Sequence, residues 1–131
     1  PKKFGVVCVA SGEGLVEIFK QMGADYVVEG GQSMNPAAED FVKGFDSLNA
    51  ENIIVFPNNS NIVLTAEQAA KYYKDANVYV VKSKTFAAAI KFLNDLSLSK
   101  TSLILFTEAL DITIIINIID NIINDIRIWV I

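Results

Sequence analysis

Three short polar stretches contain most of the side chains in this sequence that could bind a ligand or a partner. They are residues 11–14, 29–35 and 57–61, and each follows an apolar segment of strand length. Each also opens a predicted helix, so unpaired backbone N–H groups and the positive end of a helix dipole are expected there. The candidate binding residues are Ser11, Gly12, Glu13, Gly14, Glu29, Gly30, Gly31, Gln32, Ser33, Asn35, Asn58, Asn59 and Ser60.

The chemistry of these residues suits recognition. The glycines allow another molecule to approach the backbone closely, and the hydroxyl and amide side chains can bind an anion or a peptide backbone. These residue types are not suited to strong acid–base catalysis. We therefore expect binding residues at these positions and no catalytic residues.

Each stretch also has a purely structural interpretation. Gly12-Glu13-Gly14 fits a tight turn, and it lacks the third glycine of the dinucleotide-binding fingerprint. Asn35-Pro36 predicts a helix that is capped by the asparagine and has the proline at its first position. The run from 58 to 61 fits a turn and a helix cap. The carboxylates of Glu13 and Glu29 could bind a cation or a basic side chain of a partner, but they also fit ordinary solvated loop residues.

The composition excludes several functional classes. The chain has 131 residues, is 52% hydrophobic and carries a net charge of −4, which favours one folded domain and disfavours nucleic acid or anionic membrane as a partner. It has no histidine, which excludes a Ser-His-Asp triad, a phosphohistidine carrier and a His-ligated metal. Cys8 is the only cysteine, so we expect no disulfide, no metal site and a reducing, cytoplasmic location.

Four apolar segments predict buried strands. They are Phe4–Ala10, Tyr26–Val28, Asn52–Phe56 and Asn77–Val81. Continuous apolar runs are typical of strands that are covered on both faces, as in a parallel sheet. Ligands bind such sheets beyond the carboxyl ends of the strands, so the three polar stretches should converge at one edge.

Amphipathic segments between these strands predict helices. The first should turn Leu15, Ile18, Phe19 and Met22 inward and end at Gly23. The second starts at Pro36. The third has inward positions Ile62, Ala66, Ala69 and Tyr73, and Thr85 can cap a fourth. The predicted class is therefore α/β, with three α/β/α layers and a mainly parallel sheet of four βα units.

The end of the chain has a different composition. We interpret residues 1–131 as one α/β domain, with a βα core over 1–98 and a helix plus β-rich tail over 99–131. Within that tail, β-branched residues favour strands near 112–119 and 126–131. Asp120, Asp125 and Arg127 interrupt the apolar run, which argues against a membrane span. Because the first residue is Pro1, we expect a fragment of a longer protein.

Several motifs resemble a known family. They are Gly12-Glu13-Gly14-Leu15, the run from Glu29 to Pro36 that includes Gly-Gly-Gln-Ser-Met-Asn-Pro, Pro57-Asn58-Asn59, Ala66-Glu67-Gln68-Ala69-Ala70 and Lys84-Thr85. Over about residues 4–86 the chain resembles the C-terminal domain of the bacterial fatty acid kinase A subunit. Proteins of that family are dihydroxyacetone-kinase-like and DegV-related.

The resemblance implies a role within a larger enzyme. The family's full-length protein has an N-terminal kinase domain, where ATP and magnesium are expected, and it phosphorylates a fatty acid for phospholipid synthesis. A separate, DegV-like subunit carries that fatty acid. The implied partners of this chain are its own N-terminal kinase domain and that fatty-acid-binding subunit, with no cofactor in the fragment itself.

The missing histidine limits what this domain can share with its fold relatives. The dihydroxyacetone kinase substrate domain and the mannose phosphotransferase IIA domain both act through a histidine, and this chain has none. That favours docking of the fatty-acid-binding subunit over catalysis. Two alternatives remain open. One is a site for a small anion such as phosphate, a carboxylate or an acyl phosphate, and the other is a module that forms a homodimer.

Overall fold

The computed structural model describes residues 2–30 and 34–82, in which strands and helices alternate. The strands are β1 (Lys2–Ala10), β2 (Tyr26–Glu29), β3 (Ala50–Phe56) and β4 (Asn77–Val80), and the helices are α1 (Glu13–Gln21), α2 (Ala38–Leu48) and α3 (Ser60–Tyr72). The four predicted strands and the α/β class are confirmed. The predicted helix from Thr85 and the predicted tail over 99–131 lie outside the described residues.

The four strands form a parallel sheet in the order β2-β1-β3-β4. Val7 of β1 lies opposite Tyr26 on one side and Val55 on the other. The chain leaves β1 toward β2 and then crosses back to β3, so the strand order reverses between β1 and β3. Because the strands are parallel, the carboxyl ends of β1, β2 and β3 lie at the same edge of the sheet, which we call the carboxyl edge.

Strand β1 is covered on both faces, which explains its continuous apolar sequence. Val6 and Cys8 pack with residues of α1 in one cluster, whereas Val7 packs with residues of α2 and α3 in another. Phe41 is among the largest fully buried side chains of the second cluster. The three-layer arrangement follows, because α1 covers one face of the sheet and α2 and α3 cover the other.

The inward side of α1 is partly different from the prediction. Val16 and Phe19 are buried, whereas Leu15 is 42% exposed and Ile18 is 51% exposed. The helix has apolar side chains on two adjoining flanks, and periodicity alone does not tell which flank packs on the sheet. The predicted end is confirmed: Gly23 has a φ of 117°, and its N–H donates to the Lys20 carbonyl at 3.1 Å.

The predicted start of α2 is wrong by two residues. The helix begins at Ala38, with Ala37 in the capping position, and the Asp40 carboxylate accepts a hydrogen bond from the Ala37 N–H at 2.8 Å. That bond satisfies the backbone N–H of the capping residue itself, and Asn35 lies two residues before the cap, so the predicted cap at Asn35 is wrong. Pro36 is buried, and a Cβ on Gly30 would lie 2.6 Å from its Cδ. The proline therefore closes the loop back onto the end of β2.

Candidate binding site at the carboxyl edge of the sheet

Two hydrogen bonds tie loops at the carboxyl edge to the end of β1. The Gly30 N–H donates to the Ala10 carbonyl at 3.0 Å, which holds the loop that follows β2. The Asn58 side-chain amide donates to the Val9 carbonyl at 2.7 Å, which holds the loop that follows β3. The structure thus brings both loops to β1, as the sheet topology predicts, whereas Gly31, Gln32 and Ser33 lie outside the described residues.

The loop after β3 uses two of its predicted binding residues to build its own shape. Asn58 has a φ of 63°, a left-handed conformation that asparagine tolerates better than most residues. Asn59 caps α3, because its side chain accepts a hydrogen bond from the Asn61 N–H at 3.0 Å. Ser60 is exposed at the first position of α3. Asn58 and Asn59 therefore have a structural role at this edge.

The loop after β1 is the most open of the described loops. Ser11, Gly12, Glu13 and Gly14 are all exposed, and no atom lies within 4 Å of where a Cβ would stand on Gly12 or Gly14. Gly12 has a φ of 94° and precedes α1 without a side-chain cap. These residues leave room for another molecule at the start of α1.

The charged side chains at the carboxyl edge are mostly acidic. Glu13 lies in the first turn of α1, Glu39 and Asp40 lie in the first turn of α2, and Glu29 ends β2. Lys82, which follows β4, is the one cation among the described residues at this edge. Its Nζ lies 3.2 Å from Oε1 of Glu67. Acids at helix N-termini offset the positive end of the dipole, so the edge attracts anions less than the sequence suggested.

Exposed apolar side chains were missed by the sequence analysis. Met34 is 77% exposed in the loop before α2, and Leu64 is 64% exposed in the second turn of α3. Signals for both were present, since Met34 interrupts a polar run and Leu64 is out of phase with the buried positions Ile62 and Ala66. Both side chains lie toward the carboxyl edge, because α2 and α3 start there.

No catalytic group is evident in the described part of the chain. Burial raises the pKa of the Cys8 thiol to about 12, so it stays protonated in the middle of β1. Burial, followed by a hydrogen bond to Asp46, raises the pKa of Tyr73 to about 12, and this tyrosine lies at the opposite edge. Residues 2–30 and 34–82 contain no group of three or more acidic or cysteine side chains that could bind a metal.

None of α1, α2 and α3, the helices of the described residues, has the length and hydrophobicity needed to cross a bilayer.

The comparisons with known proteins agree with the predicted resemblance. A family model for the C-terminal part of proteins like the A subunit of fatty acid kinase (FakA-like) matches residues 5–111. Protein YloV of Bacillus subtilis (strain 168) is 49% identical over 82 residues, which is 63% of this chain and 15% of that protein. An uncharacterized protein of Staphylococcus aureus (strain USA300) is 41% identical over 88 residues, covering 67% of this chain and 16% of that protein. The matched part is thus a small share of each relative's length.

Proposed function

Because this chain belongs to the family of FakA-like C-terminal domains of fatty acid kinase, we propose that it is a non-catalytic docking module. It binds the DegV-like subunit that carries the fatty acid, so that a separate N-terminal domain can phosphorylate the fatty acid with ATP. The whole protein would then be a kinase that acts on a carboxyl group, and this domain would supply recognition.

The observation that carries the proposal is the construction of the carboxyl edge. Gly30 and Asn58 attach to β1 through backbone carbonyls, so these two described positions of the edge are fixed before a partner arrives. An ordered surface loses less conformational entropy on binding, which favours affinity. The edge also includes exposed apolar side chains, and the described residues at it contain no nucleophile with a matching base.

The proposal assigns ATP and magnesium to another domain of the whole protein. Magnesium in kinases is bound by one or two carboxylates together with the phosphates of the nucleotide. In the described residues the edge carboxylates are spread over β2 and two helix starts, and Asp40 is engaged with the Ala37 N–H. That arrangement fits a partner surface better than a magnesium nucleotide.

A small-anion site is the weaker alternative. Gly12 precedes α1 without a side-chain cap, which favours such a site. The acids Glu13, Glu29 and Glu39 disfavour it, because they lower the electrostatic potential at the same edge. We therefore expect about 10 millimolar inorganic phosphate to leave the free energy of unfolding unchanged, as measured by urea denaturation.

The test is direct binding of the purified chain to the purified fatty-acid-binding subunit of the same organism, loaded with a fatty acid. Isothermal titration calorimetry should give a dissociation constant in the micromolar range, on the order of 1 to 10 micromolar for a transient protein–protein contact. Serum albumin loaded with the same fatty acid is the control, because binding to it would show that the chain recognises the fatty acid and not the subunit that carries it. With both proteins at tens of micromolar, the absence of any heat of binding would contradict the proposal.

A further inference from the structure

The distribution of apolar and charged side chains indicates what kind of protein surface the carboxyl edge can accept. We propose that it docks a basic protein surface, in which lysine or arginine side chains surround an apolar patch. Met34 and Leu64 would contact that patch, and Glu13, Glu29 and Glu39 would face the basic side chains. This inference rests on the proposed docking function and adds the chemistry of the partner.

Several exposed apolar side chains lie toward the carboxyl edge. In the described residues, five large hydrophobic side chains are exposed: Leu15, Ile18, Met34, Leu64 and Tyr72. Leu15 lies in the first turn of α1, Met34 in the loop before α2 and Leu64 in the second turn of α3, so all three lie toward the carboxyl edge. Met34 precedes α2 and Leu64 lies in α3, and these two helices cover the same face of the sheet. Large exposed apolar groups that share one side of a molecule are typical of interaction sites.

The charges at the carboxyl edge indicate which kind of partner binds there. Glu13, Glu29 and Glu39 are exposed at this edge, whereas the nearby Lys82 is paired with Glu67. A partner with acidic groups here would be repelled, and a neutral partner would leave three carboxylates without compensation. Charge complementarity across an interface raises the association rate and selects the partner. A basic rim around an apolar centre therefore matches this edge best.

The helix dipole alone does not account for this pattern. Glu13 and Glu39 lie in first helical turns, where an acid stabilises the helix. Glu29, in contrast, is the last residue of β2 and lies outside any helical turn. A helix-stabilising acid changes the melting temperature when it is replaced, whereas a docking acid changes the affinity for the partner, so the two roles can be separated.

The experiment measures binding of the fatty-acid-loaded subunit to single variants of the full 131-residue chain. Glu29→Lys and Glu39→Lys should each weaken binding by roughly fivefold, mainly through a slower association rate. The difference in association rate from the unmodified chain should shrink as the salt concentration is raised. The matched control is Asp75→Lys, the same charge reversal before β4 at the opposite edge. It should leave the affinity unchanged within about twofold.

A second pair of variants tests the apolar contact on one helix. Leu64→Ala, near the start of α3, should weaken binding at least about fivefold, as should Met34→Ala. Tyr72→Ala, at the other end of the same helix, is the control and should leave affinity unchanged, since Tyr72 is 79% exposed at the opposite edge. Circular dichroism checks that each variant is folded.

The outcomes separate the two proposals. If the unmodified chain binds its partner, and if the edge variants weaken binding more than their controls, the basic-partner inference is supported. If it binds and the edge variants behave like their controls, this inference is overturned and docking occurs elsewhere. Absence of binding by the unmodified chain overturns the docking function, and this inference with it.

Discussion

At the scale of single residues, Asn58 shows how the carboxyl edge is held together. Its backbone has a φ of 63°, and its side-chain amide donates to the Val9 carbonyl at 2.7 Å across the point where the strand order reverses. One residue thus fixes both the turn after β3 and its distance from β1. The sequence identified Asn58 as a ligand-binding candidate, whereas the structure gives its amide a role in positioning the loop.

Two substitutions of Asn58 separate these contributions. Asn58→Gly keeps the left-handed conformation and removes the hydrogen bond, but it also removes the Cβ that is unfavourable in that conformation, so it should lower the free energy of unfolding by no more than about 1 kcal/mol. Asn58→Ala removes the same hydrogen bond but, like the unmodified asparagine, has a Cβ in the left-handed region, so it should be about 1 to 2 kcal/mol less stable than Asn58→Gly. Urea denaturation of the two variants measures the difference. Equal effects would mean that the backbone conformation contributes nothing.

At the scale of elements, α2 lies against β2 through a glycine that the helical pattern does not explain. Gly44 is buried in the middle of α2, and a Cβ there would lie 2.7 Å from Cδ1 of the Tyr26 ring. The glycine allows the helix to approach the aromatic ring closely, and the ring in turn covers the backbone of the helix. Glycine inside a helix is otherwise unfavourable, so the close contact with Tyr26 explains why position 44 is a glycine.

The same substitution at two glycines tests that contact. Gly44→Ala should lower the free energy of unfolding by about 1 kcal/mol, because the clash with Tyr26 costs more than the gain in helix propensity. Gly14→Ala is the control: it lies in the first turn of α1 with no atom within 4 Å of the Cβ position, and it should stabilise by up to about 0.5 kcal/mol. A stabilising Gly44→Ala would show that Tyr26 moves aside freely.

At the scale of the whole molecule, the sequence predicts the buried strands and the edge where their carboxyl ends meet. It does not predict how a helix is rotated on the sheet or at which residue a helix starts. The apolar run around Val7 is enough to predict a strand covered on both faces, and parallel strands bring their carboxyl ends together. The packed flank of α1, with Leu15 outside, depends on how the helix is rotated on the sheet. The start of α2 depends on one Asp40 hydrogen bond, which the apolar pattern does not reveal.

The buried Cys8 predicts how the stability of the whole domain depends on pH. Burial raises the pKa of its thiol from 9.0 to about 12. In the unfolded chain the thiol ionises above pH 9, whereas in the folded protein it stays protonated, so the folded state holds one more proton. Stability is therefore complete below pH 9 and is lost as pH rises toward 12, by about 1.4 kcal/mol per pH unit once pH is well above 9.

Urea denaturation of the unmodified chain and Cys8→Ala at about pH 8 and about pH 10 measures this effect. The unmodified chain should lose about 1.4 kcal/mol more than the variant between these two pH values, because only the unmodified chain has the thiol. The truncated side chain makes Cys8→Ala less stable at both pH values, but that offset cancels in the comparison. Tyr73, whose pKa is also raised, is present in both proteins, so its contribution to the pH dependence cancels in the comparison. A pH dependence that is the same in both would show that the Cys8 thiol ionises in the folded protein as it does in the unfolded chain.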